Sequence, residues 1–86
     1  MKNEVLAKKA GLSTAGRVMG RITIIQEDRF RLEDQAGRGY LFTLGWHSGV
    51  TPEDLYRWSG RGVEVSVDYK GPPDLGAVAF KVKGRE

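Results

Sequence analysis

The sequence predicts an all-β domain of five strands with one short helix between the third and fourth. Three observations predict it. Short segments alternate apolar and polar residues with a period of two. Twelve glycines in 86 residues are about twice the usual share, a density that marks turns, bulges and barrel corners. A single strong helix start, Thr51-Pro52-Glu53-Asp54, stands alone among the strand signals.

In chain order, Met1–Ala15 places Lys2, Glu4, Lys8 and Lys9 around Val5, Leu6 and Leu12. It fits either a short helix over Glu4–Ala10, stopped by Gly11, or a tail. Arg17–Gln26 is rich in β-branched residues and reads as the first strand. Its parity places Val18, Gly20, Ile22 and Ile24 on one face and Arg17, Arg21 and Thr23 on the other. Gly20 inside the strand predicts a bend or bulge. After a turn at Glu27-Asp28, Arg29–Glu33 alternates cleanly with Phe30 and Leu32 inward. Asp34–Gly39 is a hairpin loop, and Tyr40–Leu44 is the third strand with Tyr40, Phe42 and Leu44 inward.

Gly45–Val50 is a loop carrying Trp46 and His47. The helix that follows has Thr51 as its cap, Pro52 in its first turn and acids at its positive end. Leu55 and Trp58 share one face, and the end is expected near Ser59-Gly60. Gly62–Tyr69 is the fourth strand, with valines alternating. Lys70–Gly76 is a loop, and Ala77–Lys83 is the fifth strand, read with Val78, Phe80 and Val82 inward and Lys81 and Lys83 outward.

The length holds one domain, residues 16–84, behind the N-terminal segment. Zero cysteines exclude a disulfide scaffold, thiolate zinc ligation and thiol catalysis, and suit a cytoplasmic setting. No apolar h-region or membrane-length run is present, so a membrane is not an expected partner. One histidine, His47, excludes a multi-histidine metal site. Ser48 beside His47 lacks the geometry and glycine context of a nucleophile. The acid pairs Glu27-Asp28 and Glu33-Asp34 are explained by turns. Gly37-Arg38-Gly39 and Gly60-Arg61-Gly62 lack the strand–loop–helix setting of a phosphate loop. The chain reads as a binding module with no cofactor, not an enzyme.

Three strands, a helix and two strands, with a glycine in a long first strand, resemble the OB-fold, a five-stranded Greek-key barrel. The resemblance covers roughly residues 16–83 and implies that Leu55 and Trp58 plug the barrel base. An SH3-like barrel is the rival, but its helical turn normally precedes the last strand. The resemblance also implies a ligand surface on the strands, framed by the loops joining strands one to two and four to five.

Charge adds to this. The net charge is +3, from 14 Lys and Arg against 11 Asp and Glu. Arg17, Arg21, Arg29 and Arg31 all fall opposite apolar positions, so pairing of the first two strands would gather four guanidiniums on one hairpin face. Arg38 lies in the next loop. Lys81 and Lys83 were expected to join this face from a fifth strand closing beside the first. Like charges on neighbouring strands cost stability unless acids or a ligand offset them, and Glu33 offsets only part. The expected ligand is single-stranded DNA or RNA, held by phosphate contacts from Arg17, Arg21, Arg29, Arg31, Arg38 and Lys81, with Trp46 as a stacking ring. Tyr69 is a second free aromatic by position. Tyr40 and Phe42 would join it only if the third strand faced the other way. The alternative is a protein-interaction or self-associating barrel, using exposed strand edges and the Lys70–Gly76 loop.

Overall fold

The computed structural model describes residues 15–73 and 75–86. The reading of Glu4–Ala10 as helix or tail lies outside the described residues. Five strands form one sheet that closes on itself: β1 (Ala15–Gln26), β2 (Arg29–Glu33), β3 (Gly39–Leu44), β4 (Glu64–Lys70) and β5 (Ala77–Gly84). The helix α1 (Pro52–Arg61) falls between β3 and β4. Neighbours around the ring run β1-β2-β3-β5-β4 and back to β1. All pairs are antiparallel except β3 with β5. The sequence reading set the fifth strand beside the first, and the structure corrects this: β4 stands between them. Every strand has two neighbours, though β3 and β5 pair only over Phe42–Leu44 and Ala77–Ala79.

β1 reaches two partners because it is long. Its first half, Ala15–Arg21, pairs with β4, and its second, Arg21–Gln26, pairs with β2. The two pairings meet at Arg21, next to Gly20, which is buried against the Glu33 backbone. A two-residue turn, Glu27-Asp28, carries β1 into β2, with Glu27 in the left-handed region at φ 61°.

The core is where the sequence pattern places most of it. Ile22, Phe30, Leu32, Phe42, Leu44, Val65 and Val67 are buried, and Leu55 and Trp58 bring α1 into the same cluster. Tyr40 and Tyr69 pack against it, half-buried. The third strand thus faces as expected. Tyr69 is not the free ring it was read as, since its ring centroid stands 5.4 Å from that of Phe42.

Two bulges overturn the expected parity in β1 and β5. In β1, Ile22 pairs with Leu32 but Ile24 pairs with Arg31, so Thr23 is an extra residue. Ile24, read as inward, points to solvent at 59% exposure, and Ile25 packs inward instead. In β5, Asp68 pairs with Lys81 but Tyr69 pairs with Ala79, so Phe80 is the extra residue. Ala77, Ala79 and Val82 are buried, while Val78 and Phe80, both read as inward, are each 47% exposed. Volume explains the choice. Ala77 lies opposite Phe42, and Ala79 lies opposite Tyr69. The interior at that level is filled by the rings of Phe30, Phe42 and Tyr69, so only small side chains fit beneath them.

α1 starts as its sequence dictates. The Thr51 hydroxyl accepts from the Asp54 N–H, and the Asp54 carboxylate accepts from the Thr51 N–H at 3.0 Å. The helix runs past Gly60 and stops at Gly62, whose φ of 65° suits the left-handed cap. The Ser59 hydroxyl donates to the Ile22 carbonyl at 3.3 Å, tying α1 to β1. No helix among the described residues is long and apolar enough to cross a membrane.

Candidate nucleic-acid interface

The closed ring splits the four strand arginines between two sides. Arg17 lies on the half of β1 that pairs with β4, and its guanidinium grips Asp68 with both Nε (2.5 Å) and Nη2 (3.3 Å). That contact holds the Asp68 carboxyl below the usual carboxylate range. Lys81, on β5, lies opposite Asp68 from the other side. Arg21 sits at the seam of β1, in register with Glu33 on one flank and Glu64 on the other. Asp68 therefore answers Arg17, while the two acids in register with Arg21 pair elsewhere, Glu33 with Arg31 and Glu64 with Arg85.

β2 keeps the other two. Arg31 donates to the Thr23 hydroxyl at 3.1 Å and stands 3.9 Å from Glu33. Arg29 is exposed, faces Gln26 and Thr43 across its two ladders, and has no acid within ion-pair distance among the described residues. Beside it runs a shallow groove bordered by Ile24, Leu41, Thr43 and Leu75 of the β4–β5 loop. That loop is pinned to β3 where the Leu41 N–H donates to the Pro73 carbonyl at 2.7 Å.

Trp46 follows β3 on the side of the β1–β2 turn, where the Leu44 N–H donates to the Asp28 carbonyl at 2.6 Å. Its indole is 91% exposed, and its nearest aromatic neighbour is the His47 ring, 4.7 Å away between centroids. Arg38 is at the opposite end of the β2–β3 hairpin. Its backbone N–H donates to Asp34 Oδ1 at 2.9 Å, as does that of Ala36, while the Tyr40 hydroxyl donates to Oδ2 at 2.8 Å. The structure thus brings Arg29 and Arg31 together and sets Trp46 at the end of β3 next to the start of β2. It places Arg17 and Lys81 on the β4 side, Arg21 opposite Glu33 and so diagonal to Arg31, and the Arg31 guanidinium across Gly39, next to Arg38.

The residue missed by sequence reasoning is Phe80. Strict alternation put it in the core, and only the crowding of rings opposite Ala77 and Ala79 could have signalled otherwise. No three His, Asp or Glu side chains cluster as metal ligands among the described residues. No family model, curated protein or solved structure matches the chain.

Three carboxylates share a pH consequence. Asp34, through the Arg38 N–H and then the Tyr40 hydroxyl, Asp54, through the Thr51 N–H and then Arg57, and Asp68, through Arg17, all titrate below the usual range. Their contribution is complete above the ordinary aspartate pKa of about 3.9. It is lost as pH falls through their lowered folded values. The urea midpoint is expected to hold from pH about 7 to about 5 and to drop below about 4. A midpoint unchanged down to pH about 3 would show that these contacts contribute nothing.

Proposed function

We propose that the chain is a non-enzymatic, OB-like binding module for single-stranded DNA or RNA. The ring order β1-β2-β3-β5-β4, the pairing of the long β1 with both β4 and β2, and the placement of α1 between β3 and β4 support the OB assignment. The observation that carries the ligand is Trp46. Leaving an indole 91% in water forgoes the burial that large aromatics usually gain. Trp46 lies three residues past Thr43, the ladder partner of Arg29, which has no ion pair among the described residues; a flat apolar face and a cation at one end of the β2–β3 pair are the combination that binds a strand through stacking and charge. Arg31 adds the second cation of β2.

The test uses the two tryptophans, since Trp58 is buried and Trp46 is not. Adding a thymidine or uridine oligonucleotide at low salt is expected to quench the exposed indole, and Trp46→Phe to abolish that quenching. Affinity is expected to fall as salt rises, and Arg29→Ala with Arg31→Ala to flatten the log–log salt slope by about 1.4, two phosphate contacts on a single strand. No quenching at low salt sinks the reading.

A second reading rests on Ile24, Leu41 and Leu75, which line the groove and are all exposed. An apolar stripe of this kind also suits a protein partner or a second copy. A molecular mass that rises with concentration, without any response to oligonucleotide, favours it.

A further inference from the structure

Resting on that reading, we propose that the outer face of β5, β4 and the first half of β1, centred on Phe80, is a second contact surface for the same strand of nucleic acid. Trp46 and Phe80 are near each other through Gly45. β3 and β5 run parallel, with Leu44 opposite Ala79, so Gly45 falls next to Phe80. The Gly45 N–H donates to the Ala79 carbonyl at 2.8 Å, and a Cβ at Gly45 would lie 2.8 Å from that oxygen, 3.4 Å from the Val78 Cγ1 and 3.5 Å from the Phe80 Cα. Gly45 itself thus adds no side chain between the two rings, and the exposed Val78 adds apolar surface beside them. Gly45 and Phe80 are one strand spacing apart, about 5 Å, and Trp46 is one residue beyond.

Charge identifies what would lie there. Phe80 is bracketed by Lys81 on its own strand and by Lys70, which lies opposite Val78 on β4. Arg17 and Lys83 extend the cations around β1 and β5. Among the outward residues of Ala15–Met19, Ser66–Lys70 and Val78–Lys83 there are four cations, Arg17, Lys70, Lys81 and Lys83, and one acid, Asp68. That acid is already held by Arg17. The bulge is the device that builds the site, since it turns Phe80 and Lys81 outward together. A backbone leaving the Trp46 end would cross Gly45, stack a base on Phe80 and run on along Lys81 and Lys83.

The full chain is titrated with thymidine oligonucleotides of about 4 and about 16 nucleotides, the range one such domain covers. Phe80→Ala is expected to weaken the longer one about tenfold and to leave the shorter one unchanged. Lys81→Gln with Lys83→Gln is expected to flatten the salt slope for the longer one by about 1.4, and neither change to move the thermal midpoint. Photocrosslinking from 4-thiothymidine, mapped by mass spectrometry, should mark the Val78–Lys83 strand as well as the Trp46 loop. Binding of the longer oligonucleotide unaltered in both variants, with crosslinks at Trp46 alone, overturns this surface and leaves the proposed function standing. No binding of either oligonucleotide by the unaltered protein overturns both.

Discussion

Phe42→Ala is expected to remove most of the stability of the domain. Phe42 is 1% exposed and stands between β2, β4 and β5. It faces Phe30 on β2 at 5.4 Å and Tyr69 on β4 at 5.4 Å between ring centroids, and it lies opposite Ala77 on β5. The alanines at 77 and 79 are small because this ring is large, so no neighbour is placed to fill the space it would leave. Truncating a buried phenylalanine costs about 3–5 kcal/mol. A domain of this length has roughly 4–13 kcal/mol in all. Urea unfolding followed by circular dichroism should show a midpoint lower by about 2 M, or no cooperative transition. A shift below about 0.5 M would show that the ring cluster does not hold the fold together.

The second large effect is at Gly20. There β1 turns from β4 toward β2 and passes against the backbone of Glu33. A Cβ would meet the Glu33 carbonyl oxygen and lie 2.8 Å from its carbon. Backbone cannot swing aside as a side chain does, so Gly20→Val must push β1 away from the end of β2. The expected cost is about 3 kcal/mol, at the upper end of overpacking. Gly60 is the counterpart. It lies inside α1 with nothing within 4 Å of an added Cβ, and Gly60→Ala should stabilise by up to about 1 kcal/mol through helix propensity. Thermal midpoints for the pair should move in opposite directions, by several degrees per kcal/mol in a domain this small. A Gly20→Val midpoint equal to that of the unaltered chain would refute the steric account.

The contrast between these glycines shows what could be read from the chain. Strand positions and the capped helix were legible because they depend on local chemistry: alternation in Arg29–Glu33, and Thr51 three residues before Asp54. Leu55 and Trp58 in the core followed from helical spacing. Parity after a bulge was not legible. Ile24-Ile25 and Ala77-Val78-Ala79-Phe80 offer apolar residues on both faces, and the choice is made by rings that arrive from other strands. The candidate site failed to be legible for a related reason. Arg17 and Arg29 share a parity, but a strand that pairs with β4 along one half and β2 along the other sends equal parities to different sides of the ring. Asp68, some fifty residues from Arg17, was not weighed because nothing local ties the two together.

The closed ring also governs how the chain reaches its structure. The β1–β2–β3 meander and the β4–β5 pair join residues near in sequence. The two seams do not: Ala15–Arg21 must find Glu64–Lys70, and Phe42–Leu44 must find Ala77–Ala79. Loop-closure entropy is spent on both before their contacts return anything, which places the chain among slower, millisecond-to-second folders. As the chain emerges during synthesis, the first half of β1 waits without a partner until β4 appears. The charge at Arg17 is then its protection against pairing with a neighbouring chain.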